Sequence, residues 1–140
     1  MIHFLLLQNR MGKTRLAKWY VPCDDVDKDK QKVEIHSLIN TREARFTNFV
    51  EYRDVKLVYR RYAGLFFIFA VDRADNDLAI LEFIHLLVDV LDLFFTDVCE
   101  LDLVFNFHKV YMLLDEMIMA GEIQEVSRKV ILDRLQVWKA

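Results

Sequence analysis

The segment from Leu78 to Phe95 constrains the fold more than any other. Its polar side chains, Glu82, His85, Asp89 and Asp92, followed by Thr96, recur at spacings of 3, 4, 3 and 4. In a helix of about 3.6 residues per turn, that spacing draws one narrow stripe. Nearly everything else in the segment is apolar. A surface helix ordinarily shows the reverse, one apolar stripe beside a broad polar face. A helix apolar almost all round needs cover almost all round. Asp75-Asn76-Asp77 precedes the segment as its capping stretch. A second helix is expected over about Leu101–Ala120, with Asp102, Asn106, Lys109 and Glu116 as its polar stripe. A third follows Gly121, from about Glu125 to Trp138.

The first half of the chain supplies strands to cover them. Ile2–Gln8 is apolar on both alternate faces, as suits a strand buried on both sides. Arg10-Met11-Gly12 reads as a turn and Thr14–Tyr20 as the return strand. Asp24 or Asp25 is placed to cap a helix reaching Asn40. Phe46–Tyr52, Val55–Tyr62 and the wholly apolar Leu65–Val71 then form a meander with turns at Arg53-Asp54 and Ala63-Gly64. The order ββα-βββ-ααα predicts an α+β fold, a five-stranded antiparallel sheet with helices on both faces. No linker or repeat divides the 140 residues, so one domain spans 1–140. The sheet covers one side of each long helix and a neighbouring helix part of another; the remainder asks for a partner chain.

Composition excludes several classes. Apolar residues including Tyr make up 54% of the chain, above the usual range of about 45–50%. The net charge of −3 argues against a general nucleic-acid binder. Cys23 and Cys99 lie far apart with no CxxC pattern, which favours a reducing compartment. The longest apolar run, about Leu65–Val71, is far short of the roughly 20 residues of a membrane span. A soluble or at most peripheral, cytosolic protein is expected.

No catalytic, metal or cofactor motif emerges. Gly12-Lys13-Thr14 invites a phosphate-loop reading, but the glycine required five places earlier is Leu7. His3, His36, His85 and His108 fall on different elements, without metal-ligand spacing. Ser37 and Ser127 lack the setting of a nucleophile. Asp89 and Asp92 share a helix face, where the solvated stripe accounts for them. Two features remain. One is basic: Arg10, Lys13, Arg15 and Lys18, with Arg53, Lys56, Arg60 and Arg61 on the meander. It reads equally as an anion-attracting patch or as a protected strand edge. The other is apolar excess around Leu65, Val88, Val98 and Leu101, for which simple core is the plainer account.

Certain strings are specific when taken together: Gln8-Asn9-Arg10, Gly12-Lys13-Thr14-Arg15-Leu16, Lys18-Trp19-Tyr20, Thr47-Asn48-Phe49-Val50-Glu51, Tyr59-Arg60-Arg61-Tyr62-Ala63-Gly64-Leu65, and Cys99-Glu100-Leu101-Asp102-Leu103-Val104-Phe105-Asn106-Phe107. Asp115-Glu116 and Ala120-Gly121-Glu122-Ile123 continue the pattern. The chain resembles the small (sigma) subunits of clathrin adaptor complexes over essentially its whole length, most closely those of the endocytic adaptor. The resemblance implies a longin-like fold and a constitutive heterotetramer with an alpha-type large subunit, a beta large subunit and a mu medium subunit. It implies work at the cytoplasmic face of the plasma membrane, in clathrin-coated pits, with clathrin and membrane reached through the complex. It also implies recognition of acidic dileucine signals, [Asp/Glu]-x-x-x-Leu-[Leu/Ile], in cargo tails.

The positions matching the family's leucine pocket are Ala63, Leu65, Val88, Val98, Leu101 and Leu103, with Asp97 at the rim. Those matching its basic patch are Arg15 with Arg10, Lys13, Arg60 and Arg61. Asp97 departs from the Asn of the family pattern, which implies an altered preference before the leucines. His3 and Pro22-Cys23 depart as well. Leu65→Ser or Val88→Asp is expected to abolish peptide binding and leave assembly intact. A small subunit of a trans-Golgi or endosomal adaptor is the neighbouring alternative. A longin module regulating a small GTPase or SNARE is the alternative from another class.

Overall fold

The computed structural model describes residues 1–41, 48–62, 64–95, 100–124, 129–131 and 133; at 94, 102–104 and 107 it describes the backbone alone. The elements run β1 (Ile2–Asn9), β2 (Thr14–Trp19), α1 (Asp25–Asn40), β3 (Phe49–Tyr52), β4 (Val55–Tyr62), β5 (Leu65–Val71), α2 (Asp77–Phe95), α3 (Glu100–Phe105), α4 (Phe107–Met117), β6 (Ile118–Met119) and β7 (Glu122–Ile123). Five strands form one sheet in the order β2-β1-β5-β4-β3, every pair antiparallel. The wholly apolar β5 and the largely apolar β1 lie side by side in its interior, with Leu5 opposite Phe69 and Leu7 opposite Phe67.

Strand alternation divides the core in two. On one face Leu5, Leu7, Val58, Leu65, Phe67 and Phe69 pack with Phe83, Ile84, Leu87 and Leu91 of α2 and Val110 and Leu114 of α4. On the other, Phe4, Leu6, Leu57, Tyr59 and Ile68 meet Ile35 and Ile39 of α1. Helix α1 buries only Gln31, Ile35 and Ile39, a seam of residues four apart that suits an edge-on layer. Asp24 holds its N-cap position without a side-chain cap bond. Helix α2 is capped from Asn76, whose Oδ1 accepts the Ala79 amide at 3.1 Å.

The chain by itself buries Ile80, Phe83, Ile84, Leu87, Val88, Val90 and Leu91 of α2. Among the described residues the shortfall of cover is therefore local, at Leu78 and Leu93 of α2, Leu101 and Phe105 of α3 and Met112 of α4, all exposed. Among the described residues no helix is long and apolar enough to cross a membrane.

One expected helix differs in the structure. The one over Leu101–Ala120 breaks at Asn106, where φ −123° and ψ 31° leave the helical region. The Asn106 carbonyl then accepts the Lys109 and Val110 amides and starts α4. Helix α4 stops at Met117, because Ala120 and Gly121 both take positive φ (50° and 84°) and turn β6 onto β7. Two adjacent left-handed residues are the signature of a tight hairpin. The third expected helix, from about Glu125 to Trp138, lies mostly outside the described residues; 129–131 and 133 are helical and Ile131 is buried.

Candidate functional site

The β1–β2 hairpin is organised by one side chain. Asn9 Oδ1 accepts the Met11 and Lys13 amides, each at 2.9 Å. Its own amide pairs with the Lys13 carbonyl at 3.0 Å. An asparagine accepting local amides is a turn former by mechanism. The turn closes over Gly12 at φ +87°, a conformation that favours glycine. Gly12-Lys13-Thr14 thus sits in a hairpin that leads into a strand, whereas a phosphate loop opens a helix.

Beyond the turn the ladder slips. Leu7 pairs with Leu16 but Gln8 pairs with Thr14, so Arg15 is the extra residue of a β-bulge. A bulge re-aims the side chains around it. Arg15 here joins Leu16 and Asn9 on the α2–α4 face of the sheet, where α3 begins. Arg15 Nε donates to Glu100 Oε1, and Asn9 Nδ2 donates to the same oxygen at 3.0 Å. The Arg15 bond first, then the Asn9 bond, hold the Glu100 carboxyl below the ordinary glutamate range, and the Lys13 charge adds to this. Both members of the pair are partly accessible, Arg15 25% and Glu100 32%, so solvent screens them incompletely. One strand turn further, Lys18 pairs with Asp115 of α4.

The expected basic patch does not assemble as one surface. Lys13 and Arg15 come together around Glu100, and Arg10 stands exposed on the turn. Arg60 and Arg61 are neighbours on a strand and point to opposite faces. Arg60 Nη1 lies 3.0 Å from His85 Nδ1 of α2, while Arg61 lies over the Phe66 ring on the α1 face.

Of the expected apolar pocket, Leu65 and Val88 share the α2-side core cluster and are 0% and 3% exposed. Leu101 is 61% exposed on α3, with Phe105 one turn on at 73%; a spacing of four puts the two on one face. Ala63, Asp97, Val98 and the side chain of Leu103 lie outside what the structure describes. Sequence reasoning missed Asn9 and Glu100 as site residues. The Asn-Arg-Met-Gly turn signal marks the first; nothing local marks the second, because it meets Arg15 across 85 residues of chain. A separate cleft of about 260 Å³, lined by Trp19, Cys23, Gln31 and Tyr52 among others, contains none of these residues.

Comparison with known proteins places the chain in a family. The chain matches the family described as clathrin adaptor complex small chain over residues 1–140. It is 61% identical to the AP-2 complex subunit sigma of Dictyostelium discoideum, covering 97% of this chain and 96% of that one. It is 58% identical to the subunit of that name in Schizosaccharomyces pombe, with the same coverage. The AP-1 complex subunit sigma-2 of Dictyostelium discoideum is 51% identical over 93% of this chain and 84% of that one. A homology model of the full-length AP-3 complex in a stretched open conformation contains a chain that superposes with a TM-score of 0.79 at 30% identity, covering 99% of this chain and 94% of that one. With its five-stranded sheet between helices and this full-length match, the chain belongs to the family of clathrin adaptor complex small chains.

Proposed function

We propose that the chain is the small subunit of an AP-2-type, plasma-membrane clathrin adaptor and contributes to binding acidic dileucine signals in cargo tails. One contrast carries the choice of complex. Within a single organism, Dictyostelium discoideum, identity is 61% to the AP-2 small chain and 51% to an AP-1 small chain. The exposed apolar residues Leu78, Leu93 and Phe105 support a place inside an assembly with alpha-type, beta and mu chains, since apolar surface gains by leaving water. For cargo, Leu101 offers apolar surface and Arg15 offers a guanidinium suited to a carboxylate. The proposed site comprises these two with Leu65, Val88, Ala63, Asp97, Val98 and Leu103, and with Arg10, Lys13, Arg60 and Arg61 as outlying charge. Coated pits at the cytoplasmic face of the plasma membrane are the corresponding location.

The structure changes which variants test this. Leu65→Ser removes a fully buried leucine, at about 2–5 kcal/mol for the lost burial and the cavity together, and Val88→Asp buries an unpaired carboxylate. Either is expected to impair folding, so neither isolates peptide binding. Leu101→Ser, at an exposed position, is the cleaner variant. The tagged chain should retain alpha, beta and mu chains through a stringent salt wash. Calorimetric titration of that complex with a Glu-x-x-x-Leu-Leu peptide should then show tighter binding for wild type than for Leu101→Ser. Recovery of a different large chain would assign the subunit to another sorting station, and recovery of a soluble monomer would reject the reading.

A further inference from the structure

The Arg15–Glu100 pair has a consequence for ligand recognition. Arg15 reaches α3 only because the bulge turns it there, and the contact it finds is a carboxylate. The pair is braced, since Asn9 donates to the same Glu100 oxygen and is itself tied into the hairpin turn. A guanidinium grips a carboxylate best through two parallel N–H donors on one edge. With Nε engaged by Glu100, the edge built from Nε and one Nη is taken, and only the end-on approach through the two Nη atoms stays open. A second carboxylate arriving there meets a neutralised pair and the repulsion of Glu100, in place of a free cation.

We propose that Glu100 is an intramolecular stand-in for the acidic residue of the ligand, occupying Arg15 until a ligand carboxylate replaces it. This rests on the reading that acidic dileucine peptides bind at Arg15. Glu100 is then a specificity-determining residue, because it sets the strength of acid that can claim the guanidinium. A neutral side chain at that place in the ligand cannot displace Glu100, so it leaves the pair intact.

The test uses the assembled heterotetramer carrying wild-type chain or Glu100→Gln, and two peptides, Glu-x-x-x-Leu-Leu and Gln-x-x-x-Leu-Leu. Glutamine keeps an oxygen to accept from Arg15 and Asn9 while removing the charge. Affinity of the Glu peptide should rise about two- to fivefold in Glu100→Gln, the range expected for releasing one partly exposed ion pair. The Gln peptide should bind wild type and variant equally. In an Arg15→Gln background, adding Glu100→Gln should give no gain, and co-purification of the partner chains checks that each variant assembles. Unchanged or weaker binding of the Glu peptide to Glu100→Gln would overturn the stand-in role and recast Glu100 as a residue that positions Arg15. If wild type binds neither peptide, the dileucine reading itself fails, and the stand-in role fails with it.

Discussion

Gly12 offers a test in which two penalties separate. Its φ of +87° is left-handed, and a Cβ built there would stand 2.5 Å from Cδ2, 2.7 Å from Cγ and 2.9 Å from Nε2 of His36. In Gly12→Ala the backbone term costs about 1–2 kcal/mol. The clash involves Cγ, the ring atom nearest the α1 backbone, so rotating the imidazole about its own axis gives no relief and the whole ring must shift. Overpacking of that kind costs about 1–3 kcal/mol. The variant should therefore lose about 2–5 kcal/mol. His36→Ala removes the obstacle and leaves the backbone term. The double variant should be more stable than the sum of the singles predicts, by about 1–3 kcal/mol. Hydrogen exchange of the β1 and β5 amides, read by mass spectrometry in the assembled complex, reports the opening free energy where it matters. Additivity within about 0.5 kcal/mol would refute the argument, because it would mean that the ring does not lie over Gly12.

Two further outcomes are expected. Phe69→Ala empties a fully buried site in β5 and breaks an edge-to-face contact with Phe83 at 5.9 Å; it should cost about 3–5 kcal/mol by the same exchange measurement. The Glu100 carboxyl is held below its ordinary value of 4.5 by Arg15 and Asn9, so its stabilising contribution is present above that pH and is lost as pH falls through the folded value. The difference in melting temperature between wild type and Glu100→Gln should accordingly be present at neutral pH and shrink below about pH 4.5. A difference that stays constant into acid would show that the pair is not formed.

How legible each part was follows from the range of its cause. The bounds of α1, β4 and β5 come from local signals, such as the acids before Val26 and the alternation of Val55, Leu57 and Tyr59, and these hold in the structure. The break at Asn106 was not legible because Asn is tolerated on a helical polar stripe; only the dihedrals show the chain leaving the helix there. The β6–β7 hairpin hides in a two-residue turn of which only Gly121 signals. The divergence of Arg60 and Arg61 follows from strand alternation alone, and pooling them into one patch overlooked it. Arg15 is the converse case. Alternation counted from Leu16 puts it on the α1 face, and only the bulge brings it to Glu100. The burial of Leu65 and Val88 likewise depends on α2 lying across β4 and β5, a tertiary fact.

The placement of β1 between β2 and β5 bears on how the chain is made. Its inner partner, β5, leaves the ribosome about sixty residues later, a delay of roughly 3–12 s at ordinary rates of synthesis. During that interval Leu5, Leu6 and Leu7 have the β2 hairpin but no second neighbour, and the face that α2 and α4 will cover is still bare. An apolar strand with one open edge is a template for pairing with other chains. Arg10, Lys13, Arg15 and Lys18, crowded beside that strand with no acid near them in sequence, put like charge on every nascent copy at the vulnerable moment. On a crowded polysome that shared charge holds neighbouring nascent copies apart while the edge is open.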